Sequence, residues 1–302
     1  MTRILLLAAL AALGACAGSS DGGDTGVVGD SGGEDLGDPG ISNYVPPSYP
    51  PVDPLTVVFL GDSITAGVGA GDGRSYSELL EENDDATYPD YAEIDLQSQF
   101  PTATTFVNVA QGGAQTNDLP DQIAAIESQL SFPVAGPVMI GLTIGGNDLV
   151  NVIFNPSTRQ QTVDAINANI GSFISWTEDA SKFPDGAYVY LANVYDPSDG
   201  VGEAEECFFG FDTSEAVIAL QDANAANRVM AEQRGFAMVD MHGHFLGHGL
   251  NYDMTDNAEY DAADPTLWFE SDCIHPNERG HHELRRVFFG AMAGEPVPVE
   301  GP

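Results

Sequence analysis

Ser63 lies in Gly61-Asp62-Ser63-Ile64, directly after the apolar run 55–60, and Asp272-Cys273-Ile274-His275-Pro276 lies far downstream. A serine hydroxyl is a poor nucleophile until a base takes its proton, and the base needs an acid to orient it. Asp272 and His275 supply both from one short segment. A strand that runs into a Gly-punctuated turn exposes a hydroxyl at the strand's carboxyl end, where sites form in open α/β sheets. These residue types in this order describe acyl transfer. Ser63 attacks, His275 takes the proton and Asp272 orients the imidazole.

Such a reaction also needs N–H donors aimed at the developing oxyanion, from backbone glycine or an Asn amide. Two further apolar runs end in glycines, Val107-Asn108-Val109-Ala110-Gln111-Gly112-Gly113-Ala114 and Ile140-Gly141-Leu142-Thr143-Ile144-Gly145-Gly146-Asn147-Asp148. Ser63, Gly113, Asn147 and His275, in that order and each after a strand pattern, resemble the four signature blocks of the SGNH (GDSL) hydrolase family. The resemblance spans roughly residues 55–292. It implies Ser63 as nucleophile, His275 as base and Asp272 as its orienting acid. The Ser63 and Gly113 backbone N–H groups and the Asn147 side-chain amide would form the oxyanion hole. Gly113 is favoured over Gly112 because the count from Asn108 places the family's glycine there. The family also implies no cofactor and a three-layer α/β/α, flavodoxin-like fold around a five-stranded parallel sheet.

The implied activity is hydrolysis of carboxylic esters through an acyl-enzyme, with small acyl or acetyl groups on carbohydrate or lipid as expected substrates. The small-acyl expectation rests on the lack of a long apolar lid. Lipase, phospholipase and thioesterase activities belong to the same fold. A surface-anchored binding module that kept the fold without the chemistry is a further alternative. Fold does not fix specificity, which is expected to lie in loops 68–104, 151–158, 196–213 and 242–271.

Gly29-Asp30-Ser31-Gly32-Gly33 also matches a Gly-x-Ser-x-Gly pattern, but no strand precedes it and no His lies upstream. It is low-complexity coincidence. The N-terminus reads as an address. Residues 1–15 combine one basic residue, Arg3, with an apolar stretch from Ile4 to Leu13 too short to span a bilayer. Leu13-Gly14-Ala15-Cys16 resembles a bacterial lipobox, with Cys16 lipidated, while Ala15-Cys16-Ala17 also fits ordinary secretion. The expected product is an exported lipoprotein, held at a membrane only through its N-terminal anchor. Residues 16–53 are Gly/Asp-rich and then Pro-rich, a tether with no means of forming a core. The catalytic domain is expected over 54–293, monomeric, with a tail at 294–302.

Strand patterns fall at 55–60, 105–109, 137–144, 187–194 and 236–240, and helical patterns near 75–82, 118–130, 159–181, 214–234 and 278–292. Their alternation predicts a parallel sheet covered on both faces. Two excursions, 196–213 and 242–271, leave strand carboxyl ends. Cys207 lies in the first, and Cys273 follows the second, between Asp272 and His275. With Cys16 lipidated these two form the remaining pair, which an oxidising compartment joins; two buried thiols are the alternative.

His242-x-His244-x-x-x-His248 has metal-like spacing without an identifiable fourth ligand, so it reads as loop histidines at a wet rim and no metal is expected. His281 and His282 read as structural. Asp253-x-x-Asp256-Asn257 lacks the Gly and terminal Glu of a calcium loop and reads as solvated. The chain carries 46 acidic against 9 basic residues, a net charge of −37, and Lys182 is its one lysine. Such a field disfavours nucleic acid and anionic polymers as partners; salt tolerance or a saline habitat is the simplest explanation, with solubility alone as the alternative.

Overall fold

Runs rich in Val, Ile and Leu that are buried at every position belong in the middle of a parallel sheet covered on both faces. Strand β1 (Thr56–Gly61) and strand β3 (Val138–Thr143) are of this kind. The computed structural model describes residues 53–294 apart from Glu203 and Glu206. Segment 1–15, Cys16, the tether up to residue 52 and the tail from residue 295 lie outside the described residues.

The five strands are β1, β2 (Thr105–Asn108), β3, β4 (Ala187–Ala192) and β5 (Ala237–Val239). They lie in the order β2-β1-β3-β4-β5, and every pairing is parallel. All five coincide with the strands expected from the sequence to within two residues at each end. The order reverses between β1 and β3, and in open α/β sheets a crevice opens at the carboxyl ends where this happens.

Alternate strand residues feed two separate cores. Val58, Leu60, Ile140, Leu142 and Leu191 join the core beneath α3 (Leu119–Gln129), α4 (Gly146–Phe154), α5 (Arg159–Thr177) and α6 (Ser214–Arg234). Val57, Phe59, Met139, Tyr190 and Ala192 join the opposite core with α1 (Tyr76–Glu81), α2 (Leu96–Gln99), α7 (Met241–Phe245) and α8 (Glu278–Ala293). This is the three-layer α/β/α arrangement.

The helix boundaries follow local chemistry. Ser75 and Glu78 form a reciprocal capping box at α1. The Asn277 side chain accepts from Gly280 N–H to start α8. The pattern over 159–181 ends earlier than expected, at Thr177. There the Thr177 hydroxyl donates back to the Ile174 carbonyl, and Asp179 accepts from Ser181 N–H in a turn that competes with the helix. Helices α2, α4 and α7 were not expected. Gly145-Gly146 reads as a turn, yet Gly145 at φ +111° is the residue from which α4 departs.

Gly61 shows how tightly the first crevice wall is built. Its φ is +125°, and a Cβ there would sit 1.9 Å from the Thr143 carbonyl oxygen. Gly61 N–H donates to Gln122 Oε1 at 2.7 Å, and Gln122 Nε2 donates back to the Gly61 carbonyl at 2.8 Å. A buried glutamine thus takes the place of a neighbouring strand at the point where β1 ends. Gly61→Ala should cost about 3 kcal/mol or more of unfolding free energy, measured by urea denaturation. A loss below about 1 kcal/mol would show that the turn relaxes freely.

Candidate active site

The turn after β1 delivers Ser63 to the crevice. Its backbone is fixed by Ala66 N–H to Asp62 O at 3.0 Å and Val68 N–H to Ser63 O at 2.9 Å. Asp62 is buried beside the serine, and its Oδ1 accepts from Ile64 N–H at 3.1 Å and from the Thr143 hydroxyl at 2.8 Å. Thr143, Thr65 and Tyr76 continue a buried hydroxyl chain with both oxygen contacts at 2.7 Å. Burial pushes the Asp62 carboxyl up to about 6, against the pull of its hydrogen bonds and of His275.

His275 Nε2 lies 2.8 Å from Ser63 Oγ, and His275 Nδ1 lies 2.6 Å from Asp272 Oδ2. Asp272 Oδ1 also accepts from the backbone N–H groups of Ile274 and His275, each at 3.0 Å. Partial burial would raise this carboxyl, but the His275 ring and the two backbone donors outweigh burial and hold it down to about 2. The three residues named from the sequence are therefore one continuous hydrogen-bonded series across a sequence separation of 212 residues.

The loop that carries Asp272 and His275 is closed on itself. Glu270 N–H donates to His275 O at 2.8 Å, Asn277 N–H donates to Trp268 O at 2.8 Å, and Phe269 pairs with Pro276 in an antiparallel bridge. Tyr195, buried after β4, donates its hydroxyl to the Ile274 carbonyl. Cys207 and Cys273 are joined in a disulfide with Cα atoms 6.0 Å apart. Asp199 fastens the first excursion to the second. Its side chain accepts from the N–H groups of Gly247, Gly249 and Asn251 at 3.0, 2.7 and 2.8 Å. Burial pushes that carboxyl up to about 6 in spite of the three donors. Neither Asp199 nor Tyr195 was singled out from the sequence, because their partners come from distant segments.

Gly113 sits at φ +80° in the turn after β2. Among the described residues, neither the Gly113 nor the Ser63 backbone N–H donates to a protein acceptor. Asn147, in the first turn of α4, donates one side-chain N–H to the Ala114 carbonyl at 2.9 Å. Its amide carries a second N–H. Asp148 accepts from Thr116 N–H at 2.9 Å and from the Thr116 hydroxyl at 2.8 Å, which stitches the turn after β2 to the start of α4.

Ser63 and Asn147 open onto a cleft that is partly open to solvent. Its walls are apolar, with Leu149 and Ile153 from α4, Ala216 and Leu220 from α6, and Ala204 and Phe208 from the first excursion. Of the four loops expected to carry specificity, 151–158 and 196–213 contribute to this cleft, whereas 68–104 and 242–271 do not. The apolar spacing Leu149, Val152, Ile153 is the sequence signal for the missed wall α4.

His242, His244 and His248 do not form the wet-rim loop expected from the sequence. His242 and His244 are helical, and His242 and His248 are buried away from a wet rim. The His242 ring bonds the Val194 carbonyl, His244 pairs with Glu283, and His248 stacks on Trp268 at 3.4 Å. Among the described residues no group of three or more His, Cys, Asp or Glu is placed to hold a metal. His281 is buried between Tyr76 N–H and the Val68 carbonyl, and burial pushes its ring down to about 4.

A family model described as the GDSL-like lipase/acylhydrolase family matches residues 59–283. The chain belongs to this family. It is a serine hydrolase that acts on ester bonds. A lipase of Streptomyces rimosus is 28% identical over 221 residues, covering 67% of this chain and 76% of that protein. The solved structure of an extracellular lipase from Streptomyces rimosus is similar in fold, with a TM-score of 0.50 at 21% identity over 78% of this chain and 99% of that one. An acetyl-xylooligosaccharide esterase from Geobacillus has a TM-score of 0.51 at 18% identity, over 81% of this chain and 96% of that one.

Two outcomes follow for the loop at the site. Replacing both Cys207 and Cys273 by Ser should lower unfolding stability by about 4 kcal/mol, the chain-entropy value for the loop between them. An unchanged melting temperature would contradict this. Asp272 has a folded pKa below its unfolded value near 4, so its contribution is present above pH 4 and lost as pH falls toward 2. Asp272→Asn should flatten the stability curve in that window, measured by urea denaturation at stepped pH, and an unaltered slope would exclude the linkage.

Proposed function

We propose that this hydrolase cleaves carboxylic esters through an acyl-enzyme formed on Ser63. The observation that carries the reading is the continuous series Ser63–His275–Asp272 at the mouth of an apolar cleft. His275 Nε2 takes the Ser63 proton as Oγ attacks the ester carbonyl carbon. The tetrahedral intermediate collapses, the bond to the alkoxide breaks, and Nε2 returns the proton to that leaving oxygen. Water then repeats the sequence on the acyl-enzyme, releasing the acid and restoring the Ser63 hydroxyl. The Ser63 and Gly113 N–H groups and the second N–H of Asn147 are the donors assigned to the oxyanion.

The cleft favours the lipase-type reading over acetyl esters of carbohydrate. Its Leu, Ile, Phe and Ala walls reward the burial of methylene groups and offer few partners to sugar hydroxyls. The relative described as a lipase is consistent with an acyl-chain substrate. No observation favours the alternative of a non-catalytic binding module.

The proposed organisation is a leader at 1–15, a lipid on Cys16, a tether to residue 53, a monomeric catalytic domain over 54–293 and a tail at 294–302. Export is supported by the disulfide, which persists in oxidising compartments, and by the extracellular relative. No helix among the described residues is long and apolar enough to cross a membrane.

Ser63→Ala should lower turnover of a p-nitrophenyl ester on the order of 10³-fold or more. Asn147→Ala should lower kcat by about 10²–10³-fold with little change in KM. An effect on KM alone would remove Asn147 from the oxyanion hole. Across acetate, butyrate, octanoate and laurate esters, kcat/KM should rise with chain length, and Ala216→Phe should shift the optimum toward shorter chains. A maximum at acetate, unmoved by Ala216→Phe, would restore the small-acyl reading.

A further inference from the structure

The first excursion carries an aromatic surface that hydrolysis of a soluble ester does not use. Ala204, Phe208 and Thr213 line the cleft, but Phe209 is 69% exposed and Phe211 is 47% exposed. Phe154, at the end of α4, is 43% exposed and meets Phe211 edge-to-face with centroids 5.2 Å apart. Val201 adds a further apolar side chain at 38% exposure. Both walls that bear these residues continue directly into the acyl cleft. Large apolar side chains grouped in this way mark a site of interaction.

The exposure is built in. Cys207 is tied to Cys273, Cys207 N–H donates to Ala204 O at 3.0 Å, and Gly210 N–H donates to Glu205 O at 2.7 Å. Phe211 N–H donates to Phe208 O at 3.1 Å, and the Thr213 hydroxyl donates to Gly202 O at 2.9 Å. Within this bonded loop Phe209 holds φ at +59°, a conformation that costs free energy for a bulky side chain. Aromatic groups fixed outward in advance lose little conformational entropy when they meet a surface.

We propose that Phe209, Phe211 and Phe154 form a docking rim that seats the cleft on a lipid surface carrying no net negative charge. The charge selects the occupant. The chain carries a net charge of −37, and Glu205 and Asp212 flank the phenylalanines in sequence, so an anionic surface is repelled and an uncharged or zwitterionic one is not. Docking places the cleft mouth against the lipid, and an acyl chain passes from one apolar phase to the other without crossing water. That last step rests on the proposed ester hydrolysis; the docking does not.

The test uses the full chain with Ser63→Ala and Cys16→Ser, so that neither turnover nor an N-terminal acyl anchor contributes. It should co-sediment with phosphatidylcholine vesicles and bind phosphatidylglycerol vesicles more weakly at low salt. Adding Phe209→Ser and Phe211→Ser should lower the partition coefficient about tenfold or more. With Ser63 intact, the same pair should leave kcat/KM on a soluble short-chain ester unchanged and lower hydrolysis of vesicle-embedded ester in step with binding. Absence of vesicle binding, or equal binding by the phenylalanine variants, would overturn the proposal. So would a parallel loss of soluble-ester turnover, or a phenylalanine-dependent dimer in sedimentation velocity in place of vesicle binding. Phenylalanine-dependent binding with no ester turnover by the Ser63 protein would leave the docking intact and refute the proposed function instead.

Discussion

The hydrogen bond between His275 Nε2 and Ser63 Oγ is the constraint around which the domain is arranged. Its two ends come from opposite ends of the catalytic segment, and neither side chain alone has a reason to be where it is. Ser63 is placed by the end of β1, where Gly61 abuts Thr143 and Gln122 satisfies the strand's last backbone groups. His275 is placed by a closed loop held through Tyr195, the disulfide and its antiparallel bridge. A catalytic group displaced by about 1 Å can lose on the order of 10²-fold in rate. The number of restraints on residues 268–277 is intelligible on that scale.

The disulfide joins the cleft wall to the loop that carries Asp272 and His275. Cys273 lies between Asp272 and His275, while Cys207 adjoins Phe208 in the cleft wall. The loop that lines the cleft is thus covalently attached to the loop that carries His275. Asp199 reinforces the arrangement from the other side with three backbone hydrogen bonds. The formal charge of −37 belongs to the chain as a whole, whereas the cleft walls are apolar.

The parts of the site that were legible in the sequence are those whose chemistry is local. Ser63 stands at a turn after an apolar run and Asp272 and His275 lie within a four-residue segment, so residue type and position pointed to the three that the structure joins. Gly113 and Asn147 were pointed to by the family resemblance, and their donor roles are proposals. The five strands were legible because buried parallel strands are nearly continuous apolar runs. Helix α4 was not, because Gly145-Gly146 carries the local signal of a turn while the helix is secured by packing against α5 and α6. The cleft was hidden for the same reason: Ala216 and Leu220 look like ordinary helix residues until α6 is laid beside α4. His248 misled because nothing local announces that it will stack on Trp268.

The central claim is that His275 activates Ser63 and no other hydroxyl. It is tested most directly by labelling the intact protein with a fluorophosphonate and locating the adduct by peptide mass spectrometry. A single phosphonyl group on Ser63, formed at a rate that falls on the order of 10³-fold in His275→Gln, is the predicted result. Labelling at another serine, or labelling of Ser63 at an unchanged rate in His275→Gln, would contradict it.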